Sequence, residues 1–148
     1  MLVEVEEIKP KSFIQSYICS EMLEQIVIDE KFEPLPSLTL DIGDGLTPDI
    51  SVYLREQIKP NFLRDFPKYT VMPILAVEVI SASQNIQDLL DKARKLVSFG
   101  IKAVWTIEPF GRTIFVTTKD GEQIFHNQEI ESEGIKVDFK KNFNGHSE

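Results

Sequence analysis

Phe13, Ile14, Tyr17, Ile18, Met22 and Ile26 recur at three- and four-residue steps, the spacing of one apolar helix face, and predict an amphipathic helix over residues 11–28. Two short apolar or alternating runs follow, at 38–42 and 50–54, on either side of Gly43-Asp44-Gly45. Residues that tolerate positive φ between two such runs predict a β-hairpin, with Pro48 at the start of the second strand, where a missing N–H costs least. Residues 55–71 mix Pro60, Asn61 and Pro67 with scattered charge and read as an irregular excursion.

Residues 74–80 are rich in β-branched side chains and apolar on both faces apart from Glu78, as in a strand covered on both sides at the centre of a sheet. Asn85 then offers an N-cap, Ile86, Leu89, Leu90, Ala93, Leu96 and Val97 form one apolar face, and Gly100 closes that helix. Strand character resumes at 103–107, so residues 74–107 predict a βαβ unit with parallel strands. A second hairpin is expected at 112–117 and 123–126 around Lys119-Asp120-Gly121, and a last edge strand at 135–139. The fold class is α/β, a mixed central sheet flanked by helices, in one domain over residues 1–148 with its core at about 11–126 and a frayed tail at 142–148.

Composition narrows the function. Hydrophobic residues at 42% and charged residues at 27% are close to ordinary globular usage and favour neither a disordered nor a fibrous chain. The single cysteine, Cys19, excludes a disulfide framework, and with only His126 and His146 beside it zinc chemistry is not expected. The first ten residues are acidic and lack a signal peptide's apolar core, and the longest apolar run is too short for a membrane span, so a cytoplasmic protein without a membrane partner is expected. The net charge of -8 opposes tight non-specific binding to nucleic acid.

Glu78 is the most informative residue. An ionised carboxylate in the middle of an apolar strand costs several kcal/mol unless a cation or hydrogen bonds compensate it, so a positive group is expected beside it. It shares a strand face with Ala76 and Ile80, whereas Val77 and Val79 point the other way. Asp49, at the start of the strand after the first hairpin, reaches Glu78 if the two strands are neighbours. On the helix, Lys92 lies ~40° from Leu96 and ~60° from Leu89 and borders the buried stripe, whereas Lys95 is displaced by ~100° and ~120°. Lys92 can therefore point inward. Taken singly, each has a plainer reading, Glu78 as a core carboxylate on a structural cation, Asp49 as a turn residue and Lys92 as a snorkelling lysine; together the three make an oxygen-ligand site for Mg²⁺ or Mn²⁺ with an adjacent ammonium.

The segments TPDISVY (47–53), LAVEVIS (75–81) and DLLDK (88–92), then Gly100-Ile101 and Trp105 with Glu108-Pro109, resemble the Uma-two family of restriction-endonuclease-like proteins in the PD-(D/E)XK nuclease-like superfamily. The likeness spans residues 36–110 in order. It implies a restriction-endonuclease-like core and a Mg²⁺- or Mn²⁺-dependent endonuclease acting on DNA, with Asp49 and Glu78 as metal ligands and the Val79 carbonyl completing the site. The superfamily's usual lysine position holds Ile80, and the resemblance transfers that role to Lys92. Some superfamily members recruit a carboxylate from the first helix, for which Glu21 is the candidate, and a nuclease cutting both strands would act as a homodimer. Leu96, Ala103 and Val104 depart from the family pattern, and Trp105 and Phe99 read as core. The alternative is a nuclease-like fold serving as a binding or regulatory module with little activity. The acidic surface motivates that alternative, and the intact Asp49, Glu78 and Lys92 argue against it. Nor does the acidity exclude a nucleic-acid substrate, since residues 1–48 carry -7, 49–102 carry +2 and 103–148 carry -3, so the segment holding the site is the positive one. Arg55, Lys59, Arg64 and Lys68 within it are candidates to follow a phosphate backbone.

Overall fold

The computed structural model describes residues 10–144. Helix α1 (Phe13–Ile26) starts at a reciprocal cap: the Gln15 N–H donates to Ser12 Oγ at 3.2 Å and the Ser12 N–H to Gln15 Oε1 at 2.9 Å. Two N–H groups that a helix start leaves open are thereby satisfied. Its predicted stripe is buried through Ile18, Met22 and Ile26, with Ile14 and Tyr17 packed against the same core, whereas Phe13 in the first turn is 79% exposed.

Six strands form one sheet in chain order: β1 (Phe32–Pro36), β2 (Ile50–Leu54), β3 (Leu75–Val79), β4 (Ala103–Glu108), β5 (Thr113–Thr118) and β6 (Gly121–His126). Neighbours are antiparallel except β3 and β4, which run parallel and are joined by helix α2 (Ile86–Ser98). Asn85 caps α2 by accepting the Gln87 N–H at 2.7 Å, and Gly100 follows the helix at φ 106, which a side chain would disfavour.

Alternation along the strands divides the apolar residues between the two faces of the sheet. Ile50, Val52, Val77, Val79, Trp105 and Ile107 pack with α1, whereas Ala76 and Val104 pack with Ala93 and Leu96 of α2. Glu78, two residues after Ala76 on β3, is therefore on the α2 face.

Five expectations change. The strand opposite Ile50–Leu54 is β1, not residues 38–42; Leu40 makes only isolated bridges to Leu46 and Tyr69, and its run is a buried loop that fills the core under α2. Residues 135–139 are not an edge of the main sheet: β8 (Ile135–Asp138) pairs with β7 (Glu129–Ser132) across Glu133 and Gly134, both at positive φ, in a hairpin whose Ile130, Ile135 and Val137 join the α1-side core. Residues 142–144 are not frayed. They end helix α3 (Phe139–Asn144), and Asn142 is buried and accepts the Gln25 amide at 2.5 Å. The core thus extends past residue 126 to Phe139; the rest of the expected tail, 145–148, lies outside the described residues. Trp105 is fully buried, but Phe99 is 49% exposed because it falls at the C-cap of α2.

Candidate functional site

β2 pairs Ile50 with Val77, so continuing the register by one residue sets Asp49 opposite Glu78 at one end of the sheet. Both carboxylates are buried, at 4% and 5% exposure. Asp49 Oδ2 accepts the Val79 N–H at 2.7 Å. Since the Ile80 N–H donates to Ile107 on β4, the Val79 N–H points towards β2 by alternation, and the Asp49 carboxylate takes it where the β2 ladder has ended.

The cation that Glu78 requires is Lys92: its ammonium forms an ion pair with Glu78 Oε2, and its side chain is 12% exposed. The helix places it there because Lys92 borders the stripe formed by Leu89 and Leu96, both buried against the sheet. Asp49, Glu78, Val79 and Lys92, four residues from three elements, meet at one place.

Two further residues belong to this centre. Lys11, immediately before the α1 cap, forms an ion pair with Asp49 Oδ1, so each carboxylate carries its own ammonium. Gln15, buried at N3 of α1, donates its amide to the Val79 carbonyl at 2.8 Å and to Gln84 Oε1 at 3.3 Å; Gln84 Oε1 also accepts the Ser81 N–H at 2.9 Å. Gln15 is thus the α1 side chain bonded to the Val79 carbonyl, while Glu21 is half-buried about 9 Å farther along the helix axis. The Ser12-x-x-Gln15 capping signature was readable in the sequence, whereas no periodicity marks Lys11 as the partner of Asp49.

Cys19 is a half-buried residue of α1. Burial pushes its thiol up to about 11, with Lys11 pulling it down and Glu78 pushing it up.

The donor set suits a hard divalent cation: two carboxylates and a carbonyl, with water completing the shell. A local observation agrees. Thr106, paired with Glu78 across the parallel β3–β4 ladder, is fully buried and its Oγ1 has no hydrogen-bond partner among the described residues, a position that water around an ion would satisfy. Asp49 and Glu78 are the acidic pair; no group of three or more His, Cys, Asp or Glu suited to a metal occurs among the described residues.

Fold and site define an α/β protein with a paired-carboxylate, lysine-flanked centre at a strand end. The chain belongs to the Uma2 family, described as putative restriction endonuclease, whose model matches residues 4–143. A crystal structure from Anabaena variabilis ATCC 29413, a putative nuclease of DUF820, shares the fold at a TM-score of 0.77 with 19% identity, over 95% of this chain and 85% of that one. A DrdV–DNA complex is similar at a TM-score of 0.42 and 12% identity, over 86% of this chain and 12% of that one. No curated protein sequence matches. Among the described residues no helix is long and apolar enough to cross a membrane.

Proposed function

We propose that this chain is a divalent-metal-dependent endonuclease that hydrolyses phosphodiester bonds in DNA. The observation that carries this reading is the meeting of two buried carboxylates from neighbouring strands with a lysine from the following helix. Asp49, Glu78 and the Val79 carbonyl would hold Mg²⁺ or Mn²⁺, which when bound polarises the scissile phosphate and lowers the pKa of water.

The protein's own groups supply the rest. Asp49 is aimed by the Val79 N–H, and the Val79 carbonyl by the Gln15 amide, so the ligands are set before any substrate arrives. Lys92 neutralises charge that develops on the phosphate as water attacks phosphorus and the ester P–O bond breaks. Its approach is fixed by its pairing to Glu78 and by the small fraction of its side chain that water reaches. A homodimer would provide two such centres, one for each strand of a duplex.

The test is Mg²⁺- and Mn²⁺-dependent cleavage of supercoiled and linear DNA by the wild type and by Glu78→Ala. Cleavage that Glu78→Ala abolishes, in a variant with a cooperative melt, is the expected result. Equal cleavage by the two proteins overturns the assignment of Glu78. Melting that no divalent ion shifts, together with intact DNA, favours a binding or regulatory module.

A further inference from the structure

The excursion between β2 and β3 carries a feature that the metal centre does not use. Asn61 Oδ1 accepts the Leu63 N–H at 3.0 Å and the Asn61 carbonyl accepts the Arg64 N–H at 3.1 Å, which closes a tight turn with Phe62 and Leu63 at its tip. Their exposures are 96% and 86%. A buried Phe or Leu is worth roughly 1.5–3 kcal/mol relative to an exposed one, so two such side chains at the tip of an ordered turn leave a large driving force unused.

The base of the turn is held firmly. The Phe66 ring meets the Tyr69 ring edge-on at 6.0 Å, Tyr69 meets Tyr53 at 5.7 Å, and the Tyr53 hydroxyl donates to the Val71 carbonyl at 2.6 Å. The same arm is tied towards the candidate site: the Tyr69 N–H donates to the Thr39 carbonyl at 2.9 Å, and Thr39 Oγ1 is 2.8 Å from Thr47 Oγ1, two residues before Asp49.

Of the four basic residues in this segment, Arg55 pairs with Glu33 at 3.2 Å and Lys68 is half-buried, its stem beside Gly45. Lys59 and Arg64, exposed on either side of the apolar tip, form no ion pair among the described residues. An apolar pair bracketed by two free cations, in a chain of net charge -8, is complementary to a polyanion with an apolar interior.

We infer that the Phe62-Leu63 turn is a DNA-docking wedge: the two side chains insert at a base step while Lys59 and Arg64 hold the flanking phosphates. One or two apolar side chains suffice to unstack a base step. A membrane surface is the poorer match, because electrostatic recognition of anionic lipid uses clusters of roughly four to eight cations. The inference rests on the proposed DNA substrate but not on cleavage.

The experiment measures binding of a fluorescein-labelled duplex of about 20 base pairs in EDTA and about 50 mM salt, by wild type, Phe62→Ser/Leu63→Ser and Lys59→Ala/Arg64→Ala. Because all four side chains are exposed, melting temperatures should not change. The tip variant should bind about ten-fold more weakly or worse, and the charge variant should flatten the slope of log K against log salt by about 2. In Mg²⁺, the tip variant should raise KM for cleavage with kcat retained. Equal binding by all three proteins, or a wild type that does not bind the duplex, overturns the inference. So does wild-type binding to phosphatidylserine vesicles that the tip variant loses while its DNA affinity is unchanged. A wild type that binds through the turn yet never cleaves would sink the nuclease reading alone, and cleavage with an unchanged KM in the tip variant would sink the wedge alone.

Discussion

The carboxylate of Asp49 accepts the backbone N–H of Val79 at 2.7 Å, so the acid of one strand is fastened to the residue that follows the acid of the next. β2 has stopped pairing at Ile50, and a β3 N–H would otherwise be left open in a buried position. One hydrogen bond therefore completes the ladder and brings Asp49 alongside Glu78. Structure and candidate chemistry share the same atoms.

Asp49→Ala removes a charge-assisted acceptor and leaves that N–H buried, which costs about 2 kcal/mol. Asp49→Asn keeps an acceptor oxygen and should lose less. If the proposed ion binds, millimolar Mg²⁺ should raise the melting temperature of the wild type, by about 1.4 kcal/mol for an ion at ten times its Kd, and both variants should lose that rise. Thermal melts of the three proteins with and without Mg²⁺ decide the matter; an undiminished Mg²⁺ shift in Asp49→Asn would remove this residue from the ion's ligands.

Glu78 and Lys92 are each buried enough that breaking the pair is costly. Lys92→Met preserves most of the stem but removes the ammonium that faces a 5% exposed carboxylate, and the expected loss is about 3–5 kcal/mol. Glu78→Gln/Lys92→Met removes both charges and should be more stable than Lys92→Met alone. Denaturant unfolding of the two single variants and the double variant gives the coupling. Additive losses would mean that the pair is not the source of the stability.

Much of this centre was legible because burying charge is expensive. A glutamate in an apolar strand demanded a cation, and the helical arc selected Lys92 over Lys95; the structure pairs Lys92 with Glu78. The βαβ unit was legible for a similar reason, since strand and helix periods alternate cleanly between 74 and 107. β1 was not. Its sequence FEPLP has two prolines, which normally mark a loop, yet the Ser37 N–H donates to the Asp49 carbonyl and the Arg55 N–H to the Lys31 carbonyl, so odd-numbered residues form the hydrogen-bonded pairs with β2. Pro34 and Pro36 fall at the alternate positions of an edge strand, where their missing N–H groups cost nothing. Lys11 was not legible either, since its partner is chosen by where α1 enters the fold.

The thiol of Cys19 gives a pH prediction. Burial raises its folded pKa from 9.0 to about 11, so between those values the unfolded chain releases a proton that the folded chain retains. The unfolded state binds fewer protons there, and stability must fall as pH rises. The contribution is complete below about pH 9 and should decline by roughly 2 kcal/mol towards pH 11. Cys19→Ala should flatten that part of the melting-temperature profile. At neutral pH the wild-type thiol should react with iodoacetamide far more slowly than after unfolding; equal rates would show that the group is not protected.

Gln15 offers the sharpest probe of the Val79 carbonyl. Its amide donates to that carbonyl and to Gln84, and its own carbonyl accepts the Ser12 N–H, so every part of the side chain is used. Gln15→Leu should cost about 1–3 kcal/mol, because a capped helix end and a buried carbonyl both lose a partner. Gln15→Glu keeps the cap but directs a carboxylate at the Val79 carbonyl, which destabilises the metal-free protein by repulsion. If the carbonyl belongs to the ion's shell, that carboxylate becomes an additional ligand, and Mn²⁺ should raise the melting temperature of Gln15→Glu by more than it raises that of the wild type. A smaller Mn²⁺ shift in Gln15→Glu than in the wild type would place the ion away from Val79 and leave Asp49 and Glu78 as its protein ligands.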